Sequence, residues 1–563
     1  MRLENSVAVI KYLIASILVG VILGIGGAFA AQGFRSGIVI ISNYAEKLFG
    51  QDPNFFFYLI TLSVALILVH YSRVLVNDKP FQSVADSIYL AHKSNNETDL
   101  KVGFISTLAA FFSASGGASI GQYGPLVHFG TTLGAWLKKT VPFNFTPDLY
   151  IGAGVAASIS SGFGAPLAGL IFAHEAILRH YSHKSILAIA TASGISYAVS
   201  TGIWGDTNII NVSSENFNLL LMLVISFLAG PIFGLIAIIY MKSLLLFANL
   251  ANSPKVRVFY KYSFCILSLS IIGHFMPEVM GLGTETVSGI LYSSYTLIFL
   301  VIILLGKIIA TSISLNFGFF GGVFSPAILV GAAAGAVVSA LLVTLGIFED
   351  FQQALVISGI AAVAGAVIGA PICMVIIVLE LTNSYAYALA SLVGLAISVG
   401  YVQVRFGSSY FDVQLLNRGI DISDGRTGLF MTETDILRFA DPNFNTIKES
   451  ETVADAISLM SKIDQSELIV VNQSGEFVGK TNSLSLFNKQ GPLSSVDVID
   501  KDCVFIKHDA SVQSAMEIAS DFVGEIIPIV KTDQNKAVAI ITEGAIFQAY
   551  LSKQSQTVEM EKR

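Results

Sequence analysis

The sequence predicts an all-α polytopic membrane protein of two inverted repeats of broken, tilted helices, followed by a cytoplasmic α+β pair of small domains. Three observations predict it. Apolar runs of membrane length recur through the first 400 or so residues, a glycine–proline motif set appears twice in the same order, and the composition changes abruptly after Gly407.

Of 563 residues, 53% are hydrophobic and 13% charged, far from the quarter charged of an ordinary soluble chain. Apolar runs lie at Val7–Ala30, Phe56–His70, Leu219–Tyr240, Ser263–Phe275, Leu297–Ile313, Ala327–Gly346 and Ala388–Val402. Several reach the roughly 20 residues that span a bilayer. Segments 104–120, 149–178 and 357–382 are apolar but interrupted by Gly and Pro. Broken helices at membrane depth survive only when buried in protein or lining a polar cavity. Lys11 interrupts the start of the N-terminal run, whose apolar part is long, so it is expected to be a retained helix and not a signal peptide.

The net charge of −7, with no basic stripe interleaved with aromatics, argues against nucleic-acid binding. Cys265, Cys373 and Cys503 lie far apart and suggest neither a disulfide framework nor a metal site. No cofactor is expected. Lys138-Lys139 and the basic cluster from Arg179 to Lys184 point to loops on the cytoplasmic side.

The central motif is Gly121-Gln122-Tyr123-Gly124-Pro125, preceded by the small-residue run Ser113–Ser119. Proline suits the first turn of a helix, and glycine lets backbone approach a ligand. A helix beginning here aims free N–H groups and a positive dipole end forward, which makes an anion site from backbone. Alone, the motif is equally a break between two buried helices.

The motif recurs. Gly322-Val323-Phe324-Ser325-Pro326 repeats the G-x-aromatic-x-Pro spacing, with Gly331 and Gly335 where the first copy has Gly130 and Gly134. Gly164-Ala165-Pro166 runs into Glu175 and Gly369-Ala370-Pro371 into Glu380 at the same interval. Upstream, Gly154-Val155-Ala156-Ala157 matches Gly359-Ile360-Ala361-Ala362. A register of about 200 residues between the copies is the mark of a duplicated transporter with its site between the repeats.

In chain order, residues 1–50 form one long tilted helix and 55–77 a second. Asn77-Asp78-Lys79-Pro80 opens an amphipathic segment that runs to His92, and Lys93–Lys101 is a polar loop. The repeats cover about residues 50–200 and 215–405 of a membrane domain spanning 1–420. From about 430 no apolar run reaches membrane length. Thr452–Ile457, Leu468–Val471 and Phe477–Gly479 are echoed by Ser511–Met516, Ile526–Val530 and Ala537–Thr542, giving α+β units at 430–490 and 495–555.

Taken together, these residues resemble the CLC family of chloride channels and anion/proton antiporters, with a C-terminal CBS domain pair. Gly121–Pro125 stands where the family has G-K/R-E-G-P, and Gly321–Pro326 matches its G-x-F-x-P segment. Gly407–Tyr410, with Gln414-Leu415 and Arg418-Gly419, matches its pore-tyrosine segment. The resemblance implies a homodimer in the plasma or inner membrane, among lipid, with one anion pathway per subunit and the CBS pair in the cytoplasm. It implies an inorganic anion, by default chloride, contacted by Gly121, Gln122, Tyr123 and Gly124, by the backbone N–H groups of Val323 and Phe324, and by the Tyr410 hydroxyl. A neutral donor such as tyrosine holds an anion weakly enough to release it.

Three departures qualify the resemblance. The gating glutamate position holds Tyr123, and a phenol stays neutral at ordinary pH; its ring can plug the path or its O–H donate to the anion. The inner proton glutamate falls on Ala176, with Glu175 one residue earlier and about 100° around the helix. The serine segment G-S-G-I-P is replaced by Asp78-Lys79-Pro80-Phe81-Gln82, which puts Lys79, or else Pro80, at the central serine position. Lys79 there adds a full positive charge, pairs with Asp78 or Glu175, or else snorkels to the surface. His128 is a hydrogen-bonded core residue or a proton carrier.

The expected activity is passive or proton-uncoupled anion permeation. The alternative is a proton-coupled antiporter that uses Glu175 or His128. An intramembrane enzyme finds no support, since the spans hold no paired Asp, His-Glu-x-x-His or Ser/His constellation. CBS pairs that bind adenine nucleotides tend to carry an Asp shortly after a strand-end Thr. Thr481-Asn482-Ser483-Leu484 and Thr542-Glu543-Gly544-Ala545 lack it.

Overall fold

The computed structural model describes all residues except 1, 50–53, 94–97, 142, 144, 182–183, 206–216, 254–256, 293–294, 347–350, 424 and 563. Parts of the expected loop Lys93–Lys101 and of the basic cluster Arg179–Lys184 therefore lie outside the described residues. The chain divides into two compact units, Met1–Ile420 and Asp421–Arg563.

Unit 1 is helical throughout. Its first half contains α1 (Arg2–Phe49), α2 (Phe55–Leu75), α3 (Val84–His92), α4 (Leu100–Ser115), α5 (Tyr123–Thr140), α6 (Pro147–Phe163), α7 (Pro166–Phe172) and α8 (Ile186–Trp204). A π-helical turn, Ala173–Leu178, continues α7. The second contains α9 (Leu219–Ala251), α10 (Val258–Phe275), α11 (Thr284–Leu291), α12 (Leu297–Phe317), α13 (Phe324–Thr344), α14 (Gln352–Ile368), α15 (Pro371–Thr382), α16 (Tyr385–Arg405) and α17 (Tyr410–Leu416). Among the described residues, eight helical stretches are long and apolar enough to cross a membrane. The long first helix is as expected. The segment after Pro80 differs: Asn77 and Asp78 take positive φ, and α3 begins only at Val84.

The sequence duplication is repeated in packing. A Cβ on Gly154 of α6 would fall 2.0 Å from the Gly130 carbonyl oxygen of α5, and one on Gly359 of α14 would fall 2.3 Å from that of Gly331 on α13. Only glycine lets these backbones approach so closely, so each repeat has the same helix pair locked by the same two glycines. The breaks before α7 and α15 coincide as well, with Gly164 and Gly369 in the left-handed region and Pro166 and Pro371 at the first helical position.

The two copies also cap each other. Glu175 accepts from the Ile372 and Cys373 N–H groups at 2.8 and 2.7 Å, and Glu380 accepts from Leu167 and Ala168, both at 2.8 Å. Each carboxylate thus satisfies two orphan donors in the first turn of the other copy's helix and faces its positive dipole end. Reciprocal capping requires the two segments to lie side by side and head to tail, the placement of inverted copies.

Unit 2 contains α18 (Gly425–Glu433), β1 (Thr446–Lys448), α19 (Val453–Ile463), β2 (Glu467–Val471), β3 (Phe477–Asn482) and α20 (Ser483–Leu486). Then follow β4 (Ile506–Lys507), α21 (Val512–Ala519), β5 (Ile527–Lys531), β6 (Lys536–Ile541) and α22 (Glu543–Lys562). Each half has a three-stranded sheet in which the first strand pairs parallel and the third antiparallel to the middle one. Ile447, Leu468 and Val470 pack beneath α19 in one half, and Ile506, Ile527 and Ile529 beneath α21 in the other. Thr452 and Asp455 form a reciprocal cap that starts α19. Within the first half Lys480 pairs with the buried Glu467 at 2.9 Å, and that carboxylate reaches the second half by accepting from the Glu525 and Ile526 N–H groups.

Two outcomes follow from this packing. Gly154→Ala should force α5 and α6 apart and cost about 1–3 kcal/mol, read as a lowered melting temperature in detergent against an unaffected Gly33→Ala control, where a Cβ meets nothing. Burial, reinforced by Asp500, pushes the Cys503 thiol up to about 11. Its thiolate is therefore scarce at pH 8 and appears only as pH climbs toward that value. Alkylation of the native chain at pH 8 should be on the order of 100-fold slower than that of a free thiol, and denaturant should abolish the difference.

Candidate anion pathway

The two motif copies meet through their backbones. Gly121 N–H donates to the Gly322 carbonyl at 2.7 Å and Gly322 N–H donates back to Gly121 at 2.8 Å, an isolated antiparallel bridge. A Cβ on Gly121 would sit 2.9 Å from Gly322 O, and one on Gly322 would sit 3.0 Å from Gly124 N, so side chains are excluded from the junction. The Gln122 N–H donates to Ser325 Oγ at 3.3 Å, while Gln122 Oε1 is buried without a partner among the described residues.

Two further helices begin nearby, each fixed by a Ser-x-x-Asp cap. At α3, Asp86 accepts from the Ser83 N–H at 2.7 Å; at α17, Asp412 accepts from the Ser409 N–H at 3.3 Å and its hydroxyl at 2.7 Å. Each capping carboxylate then pairs with an arginine, Asp86 with Arg418 at 2.7 Å and Asp412 with Arg179. These pairs bind α3 to the chain after α17, and α17 to the end of the π turn.

Between these helix ends lies a cavity of about 110 Å³ lined by Gln82, Ser83, Gly124, Val323, Tyr410 and Gln414, among others. The Tyr410 oxygen accepts from Gln414 Nε2 at 3.1 Å. Tyr240, buried on α9, donates from its hydroxyl to the Val323 carbonyl at 3.3 Å and steadies the start of α13. Next to Gly124, Tyr123 faces a different and almost wholly apolar cavity of about 30 Å³, shared with Phe163 and Ser325. Its ring stacks on Phe163 at 3.7 Å and meets Phe324 edge-on at 5.5 Å. Tyr123 and Phe324, first residues of their helices, thus form with Phe163 an aromatic cluster at the junction.

Of the residues expected at the site, Gly124, Val323 and Tyr410 line this cavity, while Gly121 joins Gly322 at the junction, Tyr123 and Phe324 meet each other beside it, and the buried Gln122 lies outside the lining. The structure does not bring Lys79 there. That side chain is 58% exposed and pairs with Asp99 at 2.7 Å, a contact that holds the Asp99 carboxyl below its usual range. Neither Lys79 nor the alternative Pro80 lines the cavity; Gln82 and Ser83 take the position. The reason is helix start: α3 begins later than expected because the Ser83–Asp86 cap sets it. That Ser-x-x-Asp pattern was the available sequence signal. Glu175 is spent on the α15 N-terminus and is absent from the cavity lining. His128 is 2% exposed and hydrogen-bonded on both ring nitrogens. Phe163 and Tyr240 had no motif to announce them; long-range packing alone places them.

A buried lysine stands behind the junction. Lys307 on α12 is fully buried and donates to the Val279 and Gly281 carbonyls at 3.1 and 2.9 Å. Ser119 also donates to Val279 and Gly281 N–H to Gly117, so this amine is tied to the segment that leads into Gly121.

Comparison with known proteins agrees with this geometry. The family model described as voltage gated chloride channel matches residues 67–403, and the CBS domain model matches 432–479 and 495–552. A H(+)/Cl(−) exchange transporter ClcA of Vibrio parahaemolyticus is 26% identical over 57% of this chain and 69% of its own. The Arabidopsis thaliana chloride channel protein CLC-f is 23% identical over 97% of this chain and 70% of its own. Among solved structures, a slow cyanobacterial Cl−/H+ antiporter superposes with a TM-score of 0.64 at 20% identity, covering 72% of this chain and 98% of that one. A eukaryotic CLC transporter gives 0.62 at 17% identity, covering 95% and 98%. With its family model spanning more than half of its length, its two CBS domains and its matching fold, this multi-pass membrane chain belongs to the CLC family of voltage gated chloride channels.

Proposed function

We propose that the protein lets a small inorganic anion, chloride by default, cross the membrane through the cavity at the Gly121–Gly322 junction, without stoichiometric proton coupling. One observation carries it: at the position beside Gly124 where coupling would need a carboxylate stands Tyr123, a neutral phenol stacked on Phe163. The second carboxylate fails too, because Ala176 occupies its register and Glu175 is held by two N–H donors. Conduction then depends on whether the aromatic cluster is seated, as at hydrophobic constrictions elsewhere.

Several relatives are named as proton/chloride exchangers, which favours coupling as the second reading. Glu175 and His128 are its remaining candidates, and both side chains are already committed to partners within the fold. We place the molecule in the plasma or inner membrane as a homodimer with the CBS pair in the cytoplasm. Thr481 donates its hydroxyl to the Val498 carbonyl at 2.9 Å and Thr542 caps Ala545 at 3.1 Å; nucleotide forms no part of the proposal.

The deciding measurement is flux in liposomes. A chloride gradient should drive chloride efflux with no uphill proton movement; proton pumping against its gradient overturns the uncoupled reading. Tyr123→Ala should raise chloride flux on the order of tenfold by opening the constriction, with Tyr123→Phe near wild type. Glu175→Gln should leave the proton record unchanged but lower stability by about 1–3 kcal/mol, having weakened a charge-assisted pair of hydrogen bonds.

A further inference from the structure

We propose that Gln82 is an anion-coordinating side chain, with its amide N–H groups turned into the cavity by His128. The inference rests on the anion pathway proposed above and adds its specificity-determining donor.

The argument begins at His128. Thr132 Oγ donates to the His128 carbonyl at 2.9 Å, so its hydrogen is committed and its oxygen can only accept from His128 Nε2, 3.4 Å away. Gln82 Oε1 lies 3.2 Å from the same nitrogen, and a carbonyl oxygen is an acceptor. Both neighbours therefore require the hydrogen on Nε2. The other nitrogen, Nδ1, is then an acceptor, and the Ser87 hydroxyl at 2.9 Å supplies its donor, nearer than that hydroxyl's other acceptor, the Ser83 carbonyl at 3.3 Å. The tautomer is fixed by its three neighbours.

The consequence falls on Gln82. Its carbonyl oxygen is held by His128, with the Thr98 hydroxyl at 3.5 Å as a second donor, and its backbone N–H is held by Ser106 Oγ at 3.0 Å. What remains is the NH₂ group, on a residue that lines the cavity with Gly124, Val323 and Tyr410. Tyr410 is arranged in the same way: its oxygen accepts from Gln414 Nε2, which leaves its O–H to donate. Two neutral side chains thus have their acceptor atoms occupied from behind and their hydrogens left for the cavity. A full charge, Lys79, is kept outside. Neutral donors hold an anion without the deep well that a buried ammonium would create, so exchange stays fast. His128 acts through Gln82 and is a positioning residue, not a ligand.

The test uses the full-length protein, with chloride binding by calorimetry in detergent and chloride and nitrate efflux from liposomes. Gln82→Met keeps the volume and removes the donors; it should weaken chloride binding on the order of tenfold and shift the chloride-to-nitrate ratio. Gln82→Glu, an acceptor at the same place, should suppress efflux while the protein stays monodisperse. His128→Leu should weaken binding as Gln82→Met does, and His128→Gln, whose amide can still donate to Oε1, should recover much of the loss. A purely structural role for His128 would lower the melting temperature without that rescue. Gln82→Met with wild-type affinity and selectivity overturns the inference. If the wild-type protein itself neither binds nor passes chloride, the failure lies with the pathway reading, so the two failures are distinct.

Discussion

The pair of hydrogen bonds between Gly121 and Gly322 is the constraint on which the rest of the membrane unit depends. It joins two loops some 200 residues apart at a place where neither tolerates a side chain. With the loops pinned, α5 and α13 must start from a common point, and Tyr123 and Phe324 must stand together. The glycine pairs along α5–α6 and α13–α14 hold each helix at its angle once it has started.

The second constraint is the exchange of caps between Glu175 and Glu380. A helix that begins inside a membrane leaves donors that water cannot reach. Each repeat meets that need with a carboxylate from the other, and neither half is satisfied alone. The arginine pairs at Asp86 and Asp412 follow the same logic at α3 and α17. Charges that look like candidate proton carriers in the sequence are thus absorbed into holding helix ends in place.

Much of this was legible beforehand, because duplication leaves the same residues at the same spacing. Gly130 with Gly331, Pro166 with Pro371 and Glu175 with Glu380 announced two equivalent halves. Lys79 lies outside the cavity because apolar spacing is blind to where a helix starts. The Ser83–Asp86 cap decides that, and it moves the cavity wall to Gln82. Phe163 and Tyr240 were illegible for another reason: their roles come from stacking and hydrogen bonds made across the fold, which leave no local pattern.

The π turn at Ala173–Leu178 has no counterpart in α15, which is described as regular helix from Pro371 to Thr382. An extra residue is accommodated in that turn, so the mirrored halves fall out of step immediately beyond Glu175. Ancestry gave the molecule two equal arms, and a single widened coil makes one of them different. Directionality in such a pathway needs inner and outer faces that are not interchangeable, and this is one of the places where the polypeptide breaks its own symmetry.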